Sequence, residues 1–485
     1  MASKENKSSV KANVVYQMIY EVLVLALPLI TSPYISRVLG AEKIGIYSYT
    51  YSIVYYFGIV AQLGVKNYGN REIAKSRGNQ EKVNHTFWSI YSLQLMLSVV
   101  MFCAYIFYVF NFDTEYRLYS LIQIIYLLSY FLDINWFYFG MEQFKLTVTR
   151  NIIVKLLSFF SVFIFVRTAD DLWKYCVIMS ASSLLSQVII WIFLPRYVSF
   201  RLPKLKDIFV HLKPMLILFI PIIAVSLYNI MDKIMVGAIS TKAQLGFYEN
   251  SEKIISCVKS VIVAFGTVMM PRMSKLAAEG KKTESKRYMQ LSIEIVMCIA
   301  FALSFGIAAV ADIFAPIFWG EEFAPCGSLL AGLCVAVPFT AFANVIRTQY
   351  LIPNNMDKEY IISVIAGAVI NLIANSLLIT RYDAMGAVVG TILAEMSVCI
   401  IQCFFVRHKV DMVLYIRKSL FFLLLGFVMY AIIGLINHGR ENGLLLLIVD
   451  IIIGVIIYAV SSFVYLYKTK NELLLGVMSK FLKKK

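Results

Sequence analysis

Residues 271–312 read PRMSKLAAEGKKTESKR and then YMQLSIEIVMCIAFALSFGIAAVAD. The first segment carries Arg272, Lys275, Lys281, Lys282, Lys286 and Arg287, whereas Glu294 and Asp312 are the only charges in the second. At 1.5 Å of rise per residue, an apolar run of this length crosses a hydrocarbon core about 30 Å thick. Lipid offers no hydrogen-bond partners to the backbone, so such a run must be a helix or a strand of a closed barrel. Barrel strands are roughly half as long and alternate polar with apolar residues, which excludes them here. The stretch is a membrane helix entered from a basic loop.

The same pattern extends in both directions. Apolar spans are expected at 14–36, 42–64, 84–110, 116–139, 149–167 and 172–194, and then at 214–236, 244–270, 288–312, 326–348, 360–380, 384–406, 419–437 and 443–467. They account for most of the 485 residues, in keeping with 60% hydrophobic and 15% charged composition. The expected fold class is therefore an all-α polytopic membrane protein with about fourteen transmembrane helices. The first span follows Lys4, Lys7 and Lys11 but is too long for a signal-peptide core and lacks a cleavage site, so it is expected to remain in the membrane.

Lys and Arg fall predominantly on one side. With the N-terminus inside, roughly 33 lie in inner segments and roughly 9 in outer ones, the bias that fixes orientation. Both termini are expected in the cytoplasm. The net charge of +16 follows from this sidedness and needs no nucleic-acid partner. The eight cysteines are scattered, and Cys399 and Cys403, one turn apart, have no His or carboxylate nearby in sequence. Neither a disulfide framework nor a metal site is expected, and no cofactor.

The chain repeats itself about 200 positions on. Gly45-Ile-Tyr47-Ser recurs as Gly246-Phe-Tyr248-Glu, Arg71 as Arg272, and Gly78 as Gly280. Each copy would hold six helices and start inside, giving parallel repeats related by an axis along the membrane normal. The expected organisation is an N-terminal six-helix lobe over 1–206, a second over 207–410, and an added hairpin with an amphipathic cytoplasmic tail over 411–485. The tail places Leu473, Leu474, Val477, Met478, Phe481 and Leu482 on one face beside Lys480 and Lys483–Lys485, suited to an anionic inner leaflet. Two lobes about a central cavity is an arrangement that transporters use; a channel or an assembly scaffold is the other reading.

Pro28-Leu-Ile-Thr-Ser-Pro33-Tyr-Ile-Ser-Arg37-Val-Leu-Gly40, followed by Gly45-Ile-Tyr47-Ser, resembles the opening of bacterial polysaccharide flippases of the multidrug, oligosaccharidyl-lipid and polysaccharide exporter superfamily. Asn70-Arg71-Glu72-Ile-Ala and Asp133-Ile-Asn135-Trp136-Phe-Tyr-Phe-Gly140-Met-Glu142-Gln-Phe-Lys145 are similar to two further motifs, and Met231-Asp232-Lys233 to the start of the second lobe. The resemblance implies carriage of undecaprenyl-pyrophosphate-linked oligosaccharide for capsule, O-antigen or exopolysaccharide assembly, with no covalent chemistry. It further implies a bacterial cytoplasmic membrane and possible association with glycan polymerase machinery.

A diphosphate-bearing cargo needs cations inside the membrane, and these are costly in bare lipid. Lys259 has no acid within a turn in its own span, so it either faces a cavity or has a partner on another helix. Arg37 ends the first span, where it could bind head-group phosphate, pair with Glu42 or an acid of the opposite lobe, meet the diphosphate or close an outer gate. Lys155 and Arg347 are further candidates, both able to snorkel to the inner surface. For coupling to H⁺ or Na⁺, the carboxylates within spans are Glu21, Asp133 and Glu395. Asp133 could instead clamp helices together through its Asp-x-Asn-Trp motif. Glu294 is close enough to the inner loop to pair with Lys286 or Arg287. Tyr47, Tyr51 and Tyr55 share one face of the second span, either as a sugar-stacking ladder or as packing.

Two other functions remain open at this point. A drug/cation antiporter of the same superfamily would want a compact acidic cavity, against which the mid-membrane Lys speaks. A membrane glycan polymerase would need a substantial extramembrane loop carrying acid, base or metal ligands, and the longest inter-span segment is about twenty residues. Direct ATP use is unexpected without a phosphate-cradling glycine motif.

Overall fold

The computed structural model describes residues 2–438, 440 and 443–469, with side chains from residue 23 onward except those of residues 228 and 229. Glu21, whose side chain is not among these, and the tail over 471–485 lie outside the described residues. The helices are α1 (Ala2–Gln62), α2 (Val65–Ser76), α3 (Gln80–Asn111), α4 (Arg117–Ile122), α5 (Ile124–Phe131), α6 (Asn135–Gly140), α7 (Phe144–Phe165), α8 (Leu172–Phe193), α9 (Leu205–Phe209) and α10 (Leu212–Ile239). They continue with α11 (Lys242–Ala278), α12 (Lys282–Trp319), α13 (Cys326–Cys334), α14 (Ala336–Ile346), α15 (Asp357–Val406), α16 (Met412–Asn437) and α17 (Leu444–Lys468). No strand occurs among the described residues.

Twelve helical stretches of the described residues are long and apolar enough to cross a membrane. Two of them, Leu23–Ser76 and Asp357–Val406, run for 54 and 50 residues, far more than one crossing requires. Each contains a break where the sequence places a turn between spans. In α1 it is Gly40 at φ 78°, and in α15 it is Asp383 at φ 51°. Glycine takes the left-handed region without penalty; Asp383 takes it while accepting a 2.7 Å hydrogen bond from the Ser240 hydroxyl.

Contacts divide the chain into two compact units, Met1–Ser226 and Leu227–Lys485. In the first, aromatic residues build a base: Phe87 stacks on Trp136 at 5.5 Å, with Ile73, Ile90, Phe137 and Tyr138 buried around them. A Cβ added to Gly69 would stand 2.4 Å from the Trp136 ring, and one at Gly140 would stand 2.7 Å from the Ile73 Cβ. The two motifs over 70–74 and 133–145 are therefore halves of one clasp, with α2 lying directly on α6. Arg77 closes it, pairing with Glu142 at 2.7 Å and donating to the Gly140 carbonyl.

In the second unit the long α12 is central and packs against α13, α14, α16 and α17. The added hairpin is fixed to it in several ways. Lys418 of α16 pairs with the buried Glu294 of α12, the Tyr458 hydroxyl of α17 donates to the Cys298 carbonyl at 2.9 Å, and Phe305 lies where a Cβ of Gly426 would be. The left-handed glycines Gly78 (φ 89°) and Gly280 (φ 67°) lie in the turns between α2 and α3 and between α11 and α12. Outward faces are apolar, with Phe107, Phe110, Ile452, Val455 and Ile456 all more than half exposed, as for helices solvated by lipid.

Candidate functional site

A cavity of about 430 Å³ lies within the first unit, and apart from Val154 and Met179 every residue lining it is polar. Polar surface of this extent inside apolar helices is affordable only where water or a polar ligand satisfies it. Helix periodicity makes the walls. Asn151, Lys155 and Ser158 lie on one face of α7, while Ser180, Ser183 and Gln187, with Ser182 and Ser186 beside them, lie on α8.

Asp133 and Asn135 sit at the junction of α5 and α6, where the helix is interrupted and the backbone N–H of Asn135 donates to Asp133 Oδ1 at 3.0 Å. The Asn135 amide donates to the same oxygen at 2.6 Å, and Gln62 Nε2 of α1 donates to Asp133 Oδ2 at 2.8 Å. Arg150, itself buried, donates at 2.8 Å to Asn135 Oδ1 and at 2.7 Å to Asn151 Oδ1, which also accepts from Ser186 at 3.0 Å. Gln94 donates to the carbonyls of Tyr130 and Asp133 and accepts from Trp136 Nε1 at 3.0 Å, tying the interruption to the aromatic base. Both Asp133 oxygens are thus engaged, Oδ1 locally by Asn135 and Oδ2 across to α1.

Lys155 brings an ammonium group to this lining. Its ammonium has no ion-pair or hydrogen-bond partner among the described residues, and neither has that of Lys66 at the same cavity. With two ammonium groups against the single, internally satisfied Asp133 carboxylate, the cavity presents net positive charge. Such a lining suits an anionic group surrounded by hydroxyls.

Tyr47 and Tyr51 line this cavity, and Tyr55 lines a smaller one of about 110 Å³ beside it. Tyr47 and Tyr51 are stacked, with centroids 5.8 Å apart, and Tyr51 is 6.4 Å from Tyr55. Hydroxyl contacts continue the row, Tyr51 to Tyr126 at 2.9 Å and Tyr126 to Tyr130 at 3.3 Å. The tyrosines are thus packed against one another and also line the cavities.

In the second unit, Lys259 of α11 and Glu395 of α15 form one ion pair at 2.8 Å, with Glu395 only 3% exposed. Two residues considered separately for cargo and for coupling are therefore a single charge-neutral group. Lys233 of α10 pairs with Glu249 at 2.8 Å and Glu252 at 3.4 Å, so the Glu249–Lys253 contact within α11, at 3.5 Å, is one arm of a larger cluster. Beside it, Asp232 is buried and accepts hydrogen bonds from Asn375 at 2.6 Å, Thr391 at 2.7 Å and Tyr248 at 2.9 Å, all neutral donors. Arg347 begins a π-helical turn over Arg347–Leu351, its guanidinium 5.7 Å from the centre of the Tyr360 ring. Arg37 is exposed just ahead of the Gly40 break. Neither arginine lines the polar cavity.

Sequence reasoning passed over two features. The serine row was signalled by Ser180-Ala-Ser-Ser-Leu-Leu-Ser-Gln187, a cluster of hydroxyls in mid-span at helical spacing. Asp232 was quoted within a motif but not weighed as a carboxylate, although it lies in an apolar run.

The apolar helices and the polar cavity among them define a class, a multi-pass membrane protein. The polysaccharide biosynthesis protein family matches residues 10–277, more than half of the chain, and the chain belongs to that family. It is 24% identical over 379 residues to a putative O-antigen transporter of Shigella dysenteriae, covering 76% of this chain and 93% of that one. To a putative O-antigen transporter of Escherichia coli K12 it is 23% identical over 410 residues, 83% of this chain and 98% of that one. Its fold is that of the lipid II flippase MurJ in an inward closed conformation, with TM-score 0.76 at 13% identity over 94% of this chain and 99% of that one.

Proposed function

We propose that this protein flips undecaprenyl-pyrophosphate-linked oligosaccharide from the inner to the outer leaflet of a bacterial cytoplasmic membrane, both termini being cytoplasmic. It does so by alternating access between two six-helix lobes of a fourteen-span chain, leaving the isoprenoid tail in lipid. The observation that carries this reading is the cavity that combines unpartnered Lys155 with a wall of serines, amides and tyrosine hydroxyls. Cation, hydroxyl and aromatic groups together are what a diphosphate joined to sugars requires. Membership of the polysaccharide biosynthesis family and the names of the O-antigen relatives support the same cargo class.

Coupling to an ion gradient has better-placed carboxylates in Asp232 and Asp133 than in Glu395. Glu395 is neutralised by Lys259, while Asp232 and Asp133 are each held by neutral donors that a proton or Na⁺ can replace. The test is reconstitution of the purified protein in liposomes bearing a fluorescent lipid-linked oligosaccharide. Transfer between leaflets with the lipid chemically unchanged, accelerated by an imposed H⁺ or Na⁺ gradient, is expected. A chemically altered glycan, or transfer no faster than in empty liposomes, overturns the proposal.

A further inference from the structure

Asp450 stands two turns into α17, on the added hairpin, and is 0% exposed. Neither carboxylate oxygen has a hydrogen-bond partner, and no ion pair reaches it among the described residues. It borders a second cavity of about 460 Å³ between α11, α12, α16 and α17, whose walls include Phe314, Met429, Ile433 and Gly454. The one other titratable group on these walls is Tyr458, whose hydroxyl is committed to the Cys298 carbonyl at 2.9 Å. An apolar chamber with one unsatisfied acid on its wall is the inverse of the polar cavity in the first unit.

A carboxylate buried without a partner among apolar side chains is costly, and a cationic group beside it offsets that cost. The chamber's size, within the range of small-molecule pockets, and its apolar walls select the partner. An inorganic ion would find two oxygens and no means of replacing the rest of its water shell. A zwitterionic phospholipid would bring a phosphate to walls with no donor for it. We propose that this cavity binds a lipophilic amine, its apolar body between α12, α16 and α17 and its single ammonium group on Asp450. The inference does not depend on the cargo of the first unit, since it concerns a separate cavity and is read by binding alone.

The experiment uses the full chain in phosphatidylcholine nanodiscs, with phenylbutylamine as probe and phenylbutanol as its uncharged counterpart, and follows equilibrium binding by calorimetry. Saturable amine binding is expected, about ten- to a hundredfold weaker for the alcohol and for D450N, as for one lost charge-assisted hydrogen bond. Asp450→Asn keeps the side-chain shape. Gly306→Leu provides a second route, since a Cβ there meets nothing nearer than Met429 Cε at 3.7 Å and the larger group fills the chamber with the acid intact. That variant should likewise weaken amine binding at least about tenfold. Equal affinity for amine and alcohol, or unaltered binding by D450N, overturns the proposal. So does an infrared carboxylic-acid band, absent from D450N, that persists under saturating amine, because the acid is then neutral and has no use for a cation.

Discussion

Lys155 and Lys259 look alike in sequence, each a lone lysine in an apolar run, and the fold gives them opposite surroundings. Lys155 opens onto the polar cavity without a partner, while Lys259 reaches Glu395 across to another helix. Lys155→Gln should slow transfer in reconstituted liposomes by about tenfold, the scale of one charge-assisted contact, and Lys155→Arg should retain most of it. Equal rates for wild type and the glutamine variant would remove Lys155 from the cargo path. For Lys259 the expectation concerns stability. Lys259→Met strands a buried carboxylate and should cost about 3–5 kcal/mol, whereas adding Glu395→Met should recover most of that loss. Thermal unfolding in detergent reads both, and a double variant no more stable than the single one contradicts the pairing. The Lys259 partner was beyond reach of the sequence because Glu395 lies 136 residues away. Asp450 was hidden for a different reason: one acid within an apolar run barely changes its hydropathy.

At the level of helices, the pattern of residues specified more. Spans and the turns between them follow from apolar run length, and both breaks inside the merged helices fall at expected turns, at Gly40 and Asp383. Interruptions inside a single span were not legible. The expected span over 116–139 is built from α4, α5 and α6, and the one over 326–348 from α13 and α14. Hydropathy is blind to such interruptions, because Asp133 and Asn135 repay the broken backbone bonds with side-chain hydrogen bonds that only three-dimensional neighbours complete. The clasp between α2 and α6 offers a direct check. Gly69→Val places a branched side chain where the Trp136 ring stands and should cost about 1–3 kcal/mol, with a changed tryptophan emission and a less ordered Asp133 network. A variant with native emission and native transfer rate would show that the clasp has slack.

For the molecule as a whole, the distribution of Lys and Arg makes topology a measurable expectation. On a background lacking the eight native cysteines, Gly78→Cys and Gly280→Cys should react with a membrane-impermeant maleimide from the cytoplasmic side, and Glu321→Cys from the outside. Matching labels at Gly78 and Gly280 with an opposite one at Glu321 support parallel repeats; labels on opposite faces for the two glycine positions exclude them. Both glycines have open space around the site of an added Cβ, so reagent access is unhindered. An all-α membrane architecture was foreseeable, whereas the polar cavity inside the first unit and the allocation of charge depended on which helices meet. The joint between α12 and α16 limits how this chain could be shortened. A version ending ahead of α16 would deprive Glu294 of Lys418, leave Phe305 without its glycine seat and lay the long α12 bare to acyl chains. The last two helices are thus a structural outer wall for the second unit, and truncation there should yield an insertion-defective product instead of a minimal carrier.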